Sequence, residues 1–320
     1  MKSIENIDSA IQTLLFSENY KDLYEAVHLL HNQYSAITRI YANSITDQDI
    51  FLESGKAISP QKAAHCLLDI ERTRKFIKGI YQAILQLQHH YPSTRINILY
   101  AGTGPYATLV TPLTSLFTAE QISLFMLDIN EVSLNAVSKL YKEFEIDYYV
   151  QKYIHADAST YLLDPEDHIH LIITETMQNA LRKEPQVAIM NNLIPQLPDK
   201  GIFIPQEISV NAMLLNMAQE QASFLEGGQK SQRKLIGNIY TVGQYVNQNH
   251  PVTLPVPSVE SHKTLALLTD ITVYGDHKLD AYQSGLTLPY HLALLDDTTT
   301  AVSFEYILNS NPHFKFQLFS

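Results

Sequence analysis

The sequence predicts a doubly wound α/β fold, with an N-terminal helical segment before the sheet and a mostly antiparallel β-domain after it. Three observations lead there. Strand candidates at 96–101, 121–128, 147–157 and 168–175, the first two of them short apolar runs, alternate with helical patterns, as in a parallel sheet covered by helices. A glycine loop, GTGPYA (102–107), follows the first of these runs. After about residue 215 the alternation gives way to strand-like runs with no helices between them.

The elements follow in order. Residues 3–46 carry Ile7, Ile11, Leu14 and Leu15, then Leu23, Val27 and Leu30, at helical spacing, which predicts two helices divided near Ser17–Asn19. Residues 47–59 are mixed and include Gly55. Ser59-Pro60 opens the next helix, with serine as N-cap and proline at the first position. That helix, or a closely spaced pair, runs to about His90. The strand 96–101 leads into the glycine loop, which should open a helix. The strand 121–128 closes on Asp128 and precedes a helix over 130–144. A helix over 184–196 separates the fourth strand from a fifth within 201–214. Pro251, Pro255 and Pro257 mark an extended or turning segment, and 264–275, 284–296, 300–308 and 314–319 read as strands. The expected division is residues 1–58, 59–215 and 216–320.

Composition narrows the function classes. A chain of 320 residues, 45% hydrophobic and 17% charged, suits a soluble globular protein. The single cysteine, Cys66, excludes an internal disulfide. The net charge is -11 and no dense basic run occurs, so nucleic acid is not an expected partner. An acidic surface mildly favours a cationic substrate. No apolar stretch approaches a membrane span, the start lacks a signal-peptide core, and a cytoplasmic location is expected. His168 and His170 alternate on a strand and His89 and His90 are adjacent, neither being a zinc-ligand spacing, so no metal is expected.

Candidate site residues lie at the ends of the predicted strands. Gly102, Gly104 and Ala107 satisfy the dinucleotide (Rossmann-like) pattern G-x-G-x-x-G/A, which an NAD(P)-dependent oxidoreductase would use. Methyltransferases that use S-adenosylmethionine place a similar loop and acid on the same kind of sheet. Asp128 is placed to bind ribose hydroxyls in either case. Asp157 is placed either to accept from an adenine amino group or to cap a helix. LIITETMQNALRKE (171–184) ends an apolar strand on Glu175 and sets Glu184 nine positions later. On spacing alone these two are a strand-end residue and a solvated helix residue, or a pair of carboxylates in one site.

The sequence resembles the protein arginine methyltransferases, a class I S-adenosylmethionine-dependent family, in three elements that occur in order. DIERT (69–73) is similar to the D-x-x-R-T segment of the helix that those enzymes fold over the cofactor. The resemblance implies that Arg72 meets the cofactor carboxylate. The second element is the strand, loop and acid containing Gly102, Gly104 and Asp128. The third is the double-glutamate loop, matched by Glu175 and Glu184, with Met177 two after the first. KGIFIP (200–205) also resembles the family's entry to the fifth strand. The motifs cover residues 60–215, and the remainder matches only in β-rich character. The resemblance implies S-adenosylmethionine as cofactor, methylation of a guanidino or other cationic nitrogen in a small molecule, peptide or protein arginine, and a possible homodimer. The chemistry fits: a guanidinium is planar, forked and charged, and two carboxylates grip it by charge-assisted hydrogen bonds.

The pattern also departs from the family. Tyr100 stands where an acid normally lies two before the first glycine. Pro105 and Tyr106 replace the third glycine region, and Tyr106 is expected to crowd or stack on a ligand. The chain has no tryptophan, so the family's threonine–histidine–tryptophan loop is altered, and LPYHLAL (288–294) offers His291 as the counterpart histidine. The altered loop keeps open a third reading, a cofactor-binding scaffold without catalysis.

Overall fold

The computed structural model describes residues 2–41, 48–225, 231–248, 250–257 and 262–320. The end of the expected N-terminal helical pattern, 42–46, lies outside the described residues. Helices α1 (Lys2–Phe16) and α2 (Tyr20–Thr38) pack on each other. They divide where Asn19 caps α2 by accepting the Lys21 N–H at 2.9 Å. A small hairpin follows, β1 (Ile50–Leu52) and β2 (Gly55–Ala57). The long helical pattern is a pair, α3 (Pro60–His65) and α4 (Ile70–His90), each with its own cap, Ser59 and Asp69.

The central sheet contains β3 (Ile96–Ala101), β4 (Ile122–Asp128), β5 (Val150–His155), β6 (Leu171–Thr174) and β7 (Ile202–Ile204), with α5 (Glu131–Glu143) and α6 (Gln186–Leu193) in the crossovers. Its order is β5-β4-β3-β6-β7, all parallel. Every residue of β4 and β6 is buried, as a sheet covered on both faces requires. Strand order reverses at β3, so a crevice opens beyond the carboxyl ends of β3 and β6, where α/β sheets bind ligands.

The rest is antiparallel, apart from helix α7 (Met217–Leu225). Strands β8 (Glu207–Leu215), β9 (Lys234–Gly243), β11 (Thr264–Tyr274) and β12 (His277–Leu279) lie in the order β12-β11-β8-β9, and β13 (Tyr290–Leu294) also pairs with β11. Strands β10 (Val252–Pro255), β14 (Ala301–Ile307) and β15 (His313–Phe319) form a third sheet. The predicted fold class is therefore present, with N-terminal helices, doubly wound parallel sheet and antiparallel β-domain.

The fifth strand expected within 201–214 is β7, and a further strand, β8, follows it. Pro205, which has no N–H to extend a ladder, separates β7 from β8, and the chain passes from the parallel sheet to the antiparallel one at 205–206. The expected domain boundary at 215 falls at the end of β8. One local expectation is corrected: the glycine loop does not open an α-helix. Residues 105–110 turn, with Ala107 at φ 45°, and 111–115 form a short 3-10 segment. The Thr111 hydroxyl lies 2.7 Å from the Tyr106 carbonyl and 3.1 Å from that of Ala107, holding this irregular path. No described helix is long and apolar enough to cross a membrane.

Helix α4 joins the two halves by packing on β11 and β12. Gly79 makes the approach possible, because a Cβ there would lie 2.8 Å from Val273 Cγ1 and 3.3 Å from Tyr274 Cβ. The Tyr274 hydroxyl also bonds the Gln86 side chain, about two turns along the same face of α4. Gly79→Val should destabilise the protein by about 1–3 kcal/mol through overpacking. The check is the urea unfolding midpoint, and an unchanged midpoint would show that the helix can retreat from the sheet at no cost.

Candidate functional site

A cavity of about 560 Å³ lies at the carboxyl ends of β3, β4 and β6. The hairpin contributes Leu52 and Lys56 to it, the α3–α4 junction contributes Asp69 and Arg72, and the β-domain contributes Gly285 and Leu286. Gly102, Gly104, Asp128, Asp157, Glu175 and Glu184 all line it.

The glycine loop is bare by necessity. Gly102 has φ +82°, and a Cβ on it would lie 2.5 Å from Thr176 Cγ2. Gly104 has φ +58°, with Ala63 Cβ 3.1 Å from any added Cβ. Asp128, only 7% exposed, fastens the loop. Its Oδ2 accepts from the Gly104 N–H at 2.9 Å and the Thr103 hydroxyl at 3.3 Å, and its Oδ1 accepts from the Asn130 N–H at 2.8 Å. Burial pushes the Asp128 carboxyl up, and the Asn130, Gly104 and Thr103 hydrogen bonds pull it down. A turn over 158–160, and not a helix, follows Asp157. Its Oδ1 accepts from the Ser159 N–H at 2.8 Å and hydroxyl at 2.7 Å, while the residue still lines the cavity.

Tyr106 departs from expectation. It is fully buried away from the cavity, with its hydroxyl donating to the Ile40 carbonyl at 2.6 Å and its ring 5.6 Å from that of Tyr34. The N-terminal helices offer an apolar home that a loop position cannot reveal in sequence. Tyr100 does line the cavity, at the end of β3.

Glu175 and Glu184 are both buried, 8% and 6% exposed, so neither is a solvated residue. Glu175 follows directly on β6, and its Oε2 is ion-paired with the Arg72 guanidinium. Its Oε1 is buried in the same site without a hydrogen-bond partner among the described residues. Burial pushes the Glu184 carboxyl up, against the lowering effects of Gln178, Arg72 and Lys56. The connecting loop is unusual, with Ala180, Leu181 and Lys183 all at positive φ of 56°, 50° and 65°. Outside contacts hold it there. The Ala180 N–H donates to Thr269 Oγ1 at 2.8 Å, the Tyr306 hydroxyl to the Leu181 carbonyl at 2.8 Å, and the Lys183 N–H to the Pro312 carbonyl at 2.7 Å. Arg182 lies 3.7 Å from the centroid of the Tyr290 ring. On the other side the Lys56 N–H donates to the Lys183 carbonyl at 2.7 Å, and Gly55, at φ +138°, leaves only 2.9 Å between an added Cβ and that carbonyl oxygen.

The structure brings together every sequence-predicted site residue except His291. That residue is exposed on β13, opposite Ala266 of β11, and does not line the cavity. The β-domain reaches the cavity instead through residues 284–287. There the Ser284 hydroxyl and Gly285 N–H donate to Asp69 Oδ2 at 2.7 and 2.9 Å. Asp69 was legible as the first residue of DIERT but was not singled out, and Lys56 carried no sequence signal. Among the described residues no group of three or more His, Cys, Asp or Glu is arranged to hold a metal.

No family model matches the sequence, and no curated protein matches it. Solved structures do. The PRMT1 enzyme–prozyme heterotetrameric complex of Trypanosoma brucei with AdoHcy superposes with a TM-score of 0.53 at 10% identity, over 80% of this chain and 92% of that one. PRMT6 gives 0.55 at 9% identity, over 81% and 99%. Protein arginine methyltransferase 10 of Arabidopsis thaliana gives 0.51 at 9% identity, over 77% and 87%. At such identity the likeness is one of fold: this chain shares the architecture of these solved structures.

The elevated Glu184 carboxyl has a consequence for stability. A carboxyl whose folded pKa lies above its unfolded value favours the folded state at low pH, and this contribution is lost as pH rises through the folded pKa. Glu184→Gln should therefore gain stability relative to the unsubstituted protein as pH rises from about 4 to 8. Thermal melting of both across that range is the check. A constant difference would mean that Glu184 titrates alike in both states.

Proposed function

We propose that this chain is an S-adenosylmethionine-dependent methyltransferase that methylates a nitrogen of a guanidino or other cationic acceptor. The acceptor class spans small molecules, peptides and protein arginine. The observation that carries the reading is Glu175, buried in the cavity that Glu184 also lines, with one oxygen on a guanidinium and the other without a donor among the described residues. An unpaired buried carboxylate oxygen costs free energy that a ligand N–H would recover. The ion pair with Arg72 supports Glu175 as a carboxylate suited to a guanidinium.

The residues present also fit the cofactor. Gly102 and Gly104 line the cavity at positive φ, so the loop presents bare backbone to a ligand. Arg72 offers a cation for a carboxylate, and Asp157 offers acceptor capacity at the end of β5. When bound, S-adenosylmethionine supplies a methyl group on a sulfonium, open to in-line displacement without metal or covalent enzyme intermediate. The chain's own part is orientation. Glu175 and Glu184 draw the acceptor's charge toward the nitrogens they hold, which leaves the reacting nitrogen's lone pair free to face the methyl group. Leu52 and Leu286 wall the cavity with apolar surface, which strengthens these charge interactions.

The missing helix after the glycine loop weighs against an NAD(P)-dependent oxidoreductase, because a pyrophosphate would rest on that helix N-terminus. The retained buried carboxylate pair weighs against a purely scaffolding role.

Isothermal titration with S-adenosylmethionine, S-adenosylhomocysteine and NADH tests the reading. Both adenosyl ligands should bind and NADH should not; binding of NADH alone overturns it. Glu184→Gln should then slow methyl transfer to guanidino acceptors by about 100-fold or more, with affinity for S-adenosylhomocysteine little changed.

A further inference from the structure

Asp128 is committed in a way that the family pattern does not suggest. A carboxylate offers about four acceptor positions. Three are taken, by the Gly104 N–H, the Thr103 hydroxyl and the Asn130 N–H. About one remains, on Oδ1, whereas a ribose diol presents two hydroxyl donors at once. The same strand end makes a further attachment to the loop, the Gly102 N–H donating to the Leu127 carbonyl at 2.8 Å. Strand β3 cannot supply the carboxylate, because Tyr100 occupies the position two before Gly102. Both Gly102 and Gly104 are left-handed, so the loop's path depends on acceptors placed from outside it.

We propose that Asp128 is a positioning residue that holds the glycine loop and the start of α5 in the shape that receives the adenosyl cofactor, and that it does not itself grip the ribose. A neighbouring strand thereby replaces the acid absent from β3. Asp128 joins residues 103, 104 and 130 into one unit, so order in the loop and order at the N-terminus of α5 rise and fall together. The proposal rests on the reading of the cavity as an adenosyl-cofactor site.

The role separates cleanly from ribose binding by substitution. An asparagine can accept from one ribose hydroxyl and donate to the other, so Asp128→Asn is mild for a ribose ligand. For a positioning residue it is severe, because its NH2 would face an N–H that must be accepted. The experiment is hydrogen–deuterium exchange of the ligand-free protein together with titration of S-adenosylhomocysteine and its 2′-deoxy analogue. Asp128→Asn should speed exchange at the Gly104 and Asn130 amides while β6 stays protected. It should weaken S-adenosylhomocysteine at least 10-fold, and the penalty for removing the hydroxyl should be the same factor in both proteins. Unchanged exchange at Gly104 and Asn130 overturns the proposal, as does a deoxy penalty that disappears in the variant. Asp128→Glu keeps the charge but displaces it, and decides the question by the same readouts if the asparagine variant does not fold. If the unsubstituted protein binds no adenosyl ligand, the cofactor reading fails, and the exchange data still decide whether Asp128 orders the loop.

Discussion

Glu175 stands at the end of a strand whose four residues are all buried, and a lone carboxylate there would cost several kcal/mol. Arg72 meets it, and that requirement shapes much of the molecule. Arg72 lies in the first turn of α4, so α4 must begin over the ends of β3 and β6. Asp69 caps that helix and is itself held by Ser284 and Gly285. Further along, Gly79 lets the helix lie directly on Val273. One helix thus carries the counter-ion, roofs the cavity and ties the parallel sheet to the antiparallel one.

The second carboxylate is placed by different means. Glu184 has no ion pair of its own among the described residues; its position follows from the backbone path of 176–185, with three non-glycine residues in the left-handed region. Such a path persists only when its surroundings over-determine it. Thr269, Tyr306, Pro312 and Tyr290 hold it from the β-domain, and Lys56 holds it from the hairpin. The β-domain and the N-terminal segment are therefore parts of the site as much as the glycine loop is. The asymmetry also divides the labour: Glu175 has one oxygen engaged and one available, whereas burial pushes the Glu184 carboxyl up.

The inner strands β3, β4 and β6 were legible because they are buried on both faces and rich in apolar residues, and Ser59-Pro60 was legible because capping chemistry is local. Glu175, Glu184 and Arg72 were legible by spacing and order, and all three line one cavity. The split between β7 and β8 was signalled by Pro205 but masked by apolar residues on both sides. The helix expected after Gly104 failed because Ala107 turns left-handed, a choice that depends on Thr111 and on the burial of Tyr106 against α2. His291 misled because strand alternation places it on the exposed face of β13 while Ser284, with no catalytic reputation, points at Asp69.

By itself, then, the sequence determined the layers of the fold, the helix starts and the identity of the groups at the strand ends. All of these follow from periodicity and from interactions within a few residues. Tertiary structure alone decided what each group faces: Arg72 on Glu175, Asp128 on Gly104, Asp69 on Ser284, Lys56 beside Glu184. Those pairings join residues from 24 to 215 positions apart, and no local rule of hydrogen bonding or burial reaches that far along a chain.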